Sequence, residues 1–274
     1  MIAAAGGTAI PVRVDHSVES EVEALFARVD REHGRLDVVA DSVGGENPLL
    51  GGYGWFWTTD VTKGAAAFEQ SLLSHIITAK HAATLMTRDK RGLIVEVTES
   101  DVLGSGGNPV AQVVKLALKG LAMNMAAELR PHGVTAVSLT PGFLRSERML
   151  EHFKVTEANW REGIKEDSNF EVSETPLYVG RAVAALAADP KVIAKTGQLL
   201  SSWELAREYK FTDVDGRRPD WGRHDIDWSE FPEAYLEYFR AGADIQTKWL
   251  SALSKRTKAF FAKVPPRRRR QKEK

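Results

Sequence analysis

The segment "ELRPHGVTAVSLTPGF" (Glu128–Phe143) decides the fold. A helix runs out near Arg130, Pro131 to Gly133 stop it, and an apolar run Val134–Thr140 ends at the turn pair Pro141–Gly142. A run that is apolar at nearly every position, rather than at every second one, reads as a strand covered on both faces. Such strands belong to parallel sheets with a helix in each crossover.

The same alternation continues in both directions. Upstream, "GLIVEVT" (Gly92–Thr98) and "LDVVAD" (Leu36–Asp41) are further strands, the second followed by Gly44 and Gly45. "TAIPVRVD" (Thr8–Asp15) reads as a short first strand. Between them, Ser17 is expected to cap a helix in which Val18, Val22, Leu25, Phe26 and Val29 recur at helical spacing before Gly34. A long helix is predicted from about Ala65 to Met86, and another from about Pro109 to Arg130. Downstream, a helix begins near Ser173–Pro176 and runs to about Ala188, and "GQLLSS" (Gly197–Ser202) closes the pattern. The expected class is α/β, a doubly wound parallel sheet.

Composition excludes several functions. The 274 residues are 43% hydrophobic, enough for a real core, and Lys+Arg and Asp+Glu balance at 37 each. Zero formal net charge argues against a chain-wide nucleic-acid or membrane-binding field. The absence of cysteine rules out disulfides, thiolate metal sites and a cysteine nucleophile. The seven histidines are scattered without metal-type spacing, so no metal is expected. No apolar run approaches the ~20 residues that span a bilayer, and Met1–Gly7 lacks the basic start and apolar core of a signal peptide. A cytoplasmic protein with no membrane partner is expected.

In open parallel sheets, ligands bind beyond the carboxyl ends of the strands. Those ends hold Asp15–His16, Asp41–Ser42–Val43–Gly44, Thr98–Glu99–Ser100 and Pro141–Gly142, all small or polar. Lys115 lies within "NPVAQVVKLALKG" (Asn108–Gly120), a lysine amid aliphatic residues, and it reads either as the solvent face of a helix or as part of a site.

Taken in order, "VRVDH", "GRLDVVADSVGG", "GLIVEVTES", the Lys115 helix, "AAELRPHGVTAVSLTPGFLRSERML" and "SETPLYVGRAVAALAADP" resemble the short-chain dehydrogenases/reductases. The nearest pattern is a bacterial branch with the ELRPHGVTAVSLTPGFLRSE segment, and the resemblance covers about residues 6 to 216. It implies a Rossmann-like fold and hydride transfer between NAD(P) and a small carbonyl or alcohol. It further implies that Asp15, with His16, places the adenine ring, and that Asp41 to Gly44 support the cofactor. Ser100, or Thr98, would hold the substrate carbonyl; Pro141 and Gly142 would lie along the nicotinamide, and Ser146 would hold its carboxamide. Lys115 would bind the nicotinamide ribose and lower the pKa of a catalytic tyrosine, because an ammonium favours a nearby phenolate.

Three departures accompany the resemblance. The family tyrosine lies one helical turn before the lysine, where this chain has Ala111, and no tyrosine occurs between Tyr53 and Tyr178. The long preceding helix has Ser71 and Ser74 near the family's asparagine. The pattern also starts at the third family strand, so the sheet is expected to be incomplete at its amino end, without the glycine-rich turn that receives the pyrophosphate. Two readings follow: a degenerate relative with little or no hydride transfer (a pseudoenzyme, scaffold or subunit partner), or a functional carbonyl reductase whose true amino terminus lies upstream. Either way cofactor contacts are expected at Asp15, His16, Asp41, Gly44, Lys115, Pro141, Gly142 and Ser146, and catalytic ones at Lys115 and Ser100.

The expected organisation is a partial Rossmann-like domain at 1–216, a helical extension at 217–264 and a basic tail at 265–274. The extension holds Trp221, Trp228 and Trp249 and a helix near Pro232–Ala262 with an apolar face. It leans toward self-association, as does an exposed sheet edge, and the tail alone gives nucleic acid little purchase. The aromatic loop "GGYGWFWTTD" (Gly51–Asp60) reads either as a pocket lining or as a packed loop.

Overall fold

A computed structural model describes residues 2–44, 49–50, 56–99, 108–225, 248, 251–260 and 262–263. Four parallel strands form one sheet in the order β1-β2-β3-β4: β1 (Val38–Asp41), β2 (Gly92–Val97), β3 (Val134–Thr140) and β4 (Leu199–Ser201). Every residue of β3 is buried, as its unbroken apolar pattern requires. One face packs on α1 (Glu19–His33), α3 (Ser74–Asp89) and α4 (Pro109–Leu129), where Val22, Phe26, Ile77, Met86 and Leu129 meet Ile94, Val134 and Ala136. The other face packs on α6 (Pro176–Ala188) and α7 (Ser202–Tyr209), through Ala182, Leu186 and Leu205 against Leu93, Val95, Val137 and Leu139. The sheet is therefore covered on both sides and is Rossmann-like. All three crossovers step the same way across the sheet, yet the last runs over the opposite face, so its hand is opposite to that of the first two.

Helix boundaries follow local chemistry. Asp60 accepts hydrogen bonds from the Thr62 and Lys63 amides and starts α2 (Val61–Phe68), earlier than the apolar pattern suggested. The helix continues through a π-helical turn (Glu69–Leu73) into α3. Asn108 caps α4 by accepting from the Val110 amide, with Pro109 at the first helical position. By length and composition α4 is apolar enough to cross a bilayer despite Lys115 and Lys119; here it lies along β2 and β3 and buries Ala111, Val114, Leu118, Ala122 and Ala126.

Two expectations are corrected. Thr8–Asp15 forms no strand: Ile10 and Val12 are 48% and 42% exposed, and β1 pairs only with β2 among the described residues. A lone extended segment without a ladder partner leaves its backbone groups to water. Ser17 is not the cap of α1. Its amide and hydroxyl both donate to the Asp15 carboxylate (2.9 and 2.6 Å), while the Asp15 amide donates to Glu21, so Asp15 shapes the turn into the helix.

The chain divides into two compact units, Met1–Glu230 and Phe231–Lys274. In the first, Arg217 donates to the Glu171 and Ser173 carbonyls and Tyr178 donates to that of Pro219, so the start of the carboxyl extension packs on the core. In the second, the described residues 251–260 are helical. Trp228, Trp249 and the basic tail 265–274 lie outside the described residues.

Candidate functional site

The strand ends gather the polar residues. After β1, buried Asp41 accepts the Val43 amide through Oδ1 (3.1 Å), which closes a tight turn. The helix beneath holds that turn: His75 Nε2 donates to the Val43 carbonyl (2.9 Å) and Gln70 to that of Gly44 (3.0 Å). His75 Nδ1 faces Glu96 Oε2 at 2.5 Å, and Glu96 is the register partner of Asp41 on the neighbouring strand. Burial works against a charged imidazole here, but the Glu96 hydrogen bond and the Asp41 and Glu96 charges outweigh it and raise the pKa of His75.

After β2, the Thr98 hydroxyl donates to the carbonyl of Lys115 (3.1 Å) and ties α4 to the strand end. Lys115 is half-buried, and one turn before it Ala111 is 1% exposed, so neighbouring atoms already fill the space around its methyl group. Ser100 lies outside the described residues. Ser71 is buried in the π-helical turn with no hydrogen-bond partner for its hydroxyl, whereas the Ser74 hydroxyl donates to the Gln70 carbonyl. Single π turns of this kind recur at functional sites.

After β3, Pro141–Gly142 is clamped from behind. The Gly142 amide (3.0 Å) and the Ser202 hydroxyl (2.7 Å) both donate to Glu174 Oε2. Burial, opposed by those two bonds, lifts the Glu174 carboxyl to a pKa of about 7. A Cβ on Gly142 would lie 2.9 Å from Trp221 Cβ, so only glycine fits beneath that indole. Ser146 accepts from the Met149 amide at 3.4 Å and caps α5 (Glu147–His152).

The structure therefore brings Asp41, Gly44, Lys115, Pro141 and Gly142 to the carboxyl side of one sheet. Asp15 is exposed and occupied by Ser17, while His16 Nδ1 donates to the Thr78 hydroxyl (2.7 Å) on α3. With Thr78, Asp41, Ser42 and Val43, His16 lines a cavity of about 440 Å³ against Phe26 and Val39 of the first core. In the aromatic loop, Phe56 and Trp57 are 69% and 75% exposed, and residues 51–55 lie outside the described ones.

Three residues were missed from sequence: His75, Glu96 and Glu174. Glu96 carried a signal, since it is the one charge inside the apolar strand "GLIVEVT". His75 lies 21 residues before Glu96, so no local spacing reveals the pair.

Comparison with known proteins bears on the family and the fold. The family model described as enoyl-(acyl carrier protein) reductase matches residues 1–201. Human dehydrogenase/reductase SDR family member 1 is 38% identical over 216 residues, 77% of this chain and 69% of the relative. Its mouse counterpart is 37% identical over 217 residues, again 77% and 69%. Among solved structures, YwfH, an NADPH-dependent reductase involved in bacilysin biosynthesis, superposes with a TM-score of 0.60 at 21% identity, over 73% of this chain and 78% of that one. ElxO with NADP bound gives 0.58 at 21%, over 69% and 75%. Both structures share the fold. The family match and the human relative show that this chain belongs to the short-chain dehydrogenases/reductases, a family of NAD(P)-dependent oxidoreductases.

Proposed function

We propose that this chain is a short-chain dehydrogenase/reductase with a degenerate site, which carries out little or no hydride transfer as the 274-residue chain and works in the cytoplasm as a scaffold or self-associating subunit. The observation that carries this reading is Ala111, buried one helical turn before Lys115. An ammonium there has no phenol on its own helix face to tune, and loss of a general acid/base costs roughly 10²–10⁴-fold in rate.

The described residues also do not fit a whole dinucleotide. Asp15 spends its carboxylate on Ser17, and no described strand passes through a glycine-rich turn into a helix amino terminus. The described residues supply the half of the site nearest the reacting ring in the family's arrangement. There Lys115 would meet a ribose hydroxyl, and Pro141–Gly142, held by Glu174, would bear on the ring. A small carbonyl compound or alcohol is the substrate class such a half-site would accept.

Titration with NADPH and NADH, followed by nicotinamide fluorescence, tests the reading. No saturation below the millimolar range is expected. Micromolar binding with turnover of a carbonyl substrate would establish the competing reading, a working carbonyl reductase. Ala111→Tyr adds a second arm: the ring would enter filled space, so the variant should lose stability and gain no turnover.

A further inference from the structure

The cluster beneath the Asp41–Gly44 turn has more negative groups than its hydrogen bonds use. Asp41 is 5% exposed, and His75 and Glu96 are fully buried. Both ring nitrogens of His75 face oxygen: Nδ1 faces Glu96 Oε2 at 2.5 Å, and Nε2 faces the Val43 carbonyl at 2.9 Å and Asp41 Oδ1 at 3.5 Å. Neither a carbonyl nor a carboxylate can donate, so Nε2 carries the proton that these oxygens share, and a cation replacing that proton would meet the same oxygens. Among the described residues no lysine or arginine pairs with either acid, and Asp41 Oδ2 and Glu96 Oε1 have no hydrogen-bond partner. A buried carboxylate left in this state is costly unless a cation answers it.

We propose that His75 Nε2, Asp41 and the Val43 carbonyl form a binding site for a divalent transition-metal ion of the zinc class, with Glu96 orienting the imidazole through Nδ1. Three observations support it. Ligands held about 2.1 Å from a tetrahedral ion stand about 3.4 Å apart, which Nε2 and Asp41 Oδ1 match at 3.5 Å, while the Val43 carbonyl, hydrogen-bonded to Nε2 at 2.9 Å, would move out slightly to join them. A carboxylate on the far ring nitrogen is the usual partner of a metal-bound histidine, fixing its tautomer and raising its basicity. Asp41 and Val43 line the 440 Å³ cavity, which provides an entry path and room for coordinated water. Imidazole with oxygen ligands suits zinc, copper or nickel better than calcium or magnesium. One divalent ion would also balance the two carboxylates. The site stands apart from the hydride-transfer question, because it needs neither a dinucleotide nor the missing tyrosine.

The test is Zn²⁺ titration of the full chain after chelator treatment, by calorimetry and by long-range ¹H–¹⁵N histidine spectra. The expected result is one equivalent bound at micromolar or lower Kd, with the Nε2 resonance of His75 shifting. Asp41→Asn keeps an acceptor for the Val43 amide but removes the charge, and should weaken binding at least tenfold. Glu96→Gln should weaken it about 10–100-fold. The site is overturned if no saturable binding occurs, if only other histidine resonances move, or if Asp41→Asn binds like the parent. Should either variant fail to fold, the His75 resonance in the parent decides alone.

Discussion

Two segments read alike in the sequence and end differently. "TAIPVRVD" near the amino end and "GQLLSS" (Gly197–Ser202) are both short, apolar and bounded by turn residues. Only the second becomes a strand. Its core pairs Leu199 to Ser201 with Ser138 to Thr140, the Ser138 amide donates to the Gln198 carbonyl, and Leu200 is 8% exposed. Helix α7 then starts at Ser202, with Ser201 as its cap. The first segment has the better β-formers but, among the described residues, no neighbouring strand, and Ile10 and Val12 remain nearly half exposed. A strand is thus a property of its partner as much as of its own residues.

The same contrast separates the two ends of the site. At the β3–β4 end, Glu174 ties Pro141–Gly142 to α7 while Trp221 covers the glycine. At the β1 end, the Asp41 turn rests on His75 and borders both a cavity and the sheet edge.

The comparison can be broken in order of expected effect. His75→Ala removes the imidazole that sits between two buried carboxylates and should cost about 3–5 kcal/mol in urea unfolding; a cost below 1 kcal/mol would mean the β1 end does not depend on that contact. Leu200→Ala should cost about 2–5 kcal/mol, against less than about 0.5 kcal/mol for Ile10→Ala in the unpaired segment. Equal costs would show that Thr8–Asp15 packs after all. Glu174 sharpens the contrast through pH. Its pKa of about 7 lies above the ordinary 4.5, so the folded state holds the proton more tightly. That contribution is complete below about pH 4.5 and is lost as pH rises through 7, an effect of about 3 kcal/mol. Glu174→Gln should flatten the fall in stability between pH 5 and 8, and an unchanged slope would remove Glu174 as its source. Asn108→Ala, at the cap of α4, should be the smallest of the substitutions expected to cost stability, about 1 kcal/mol by thermal unfolding.

Much of the core was legible because its determinants are local. Val134–Thr140 is apolar at almost every position and Asn108–Pro109 is a helix start, so β3 and α4 appear within a residue or two of where the pattern puts them. The long helix began four residues early because Asp60, not the apolar periodicity, sets its end. Lys115 and Ala111 were readable as a spacing on one helix. The clamp on Gly142 was not, because Glu174, Ser202 and Trp221 reach it from three separate segments.

By itself, then, the sequence determined the alternation of strands and helices, the family, and the missing phenol before Lys115, all of which rest on residues near one another in the chain. Tertiary structure alone decided which apolar segments became strands, how tightly Gly142 is covered, and that Asp41, His75 and Glu96 share one buried space. Those outcomes depend on strand register and helix placement, which set distances between residues far apart in sequence.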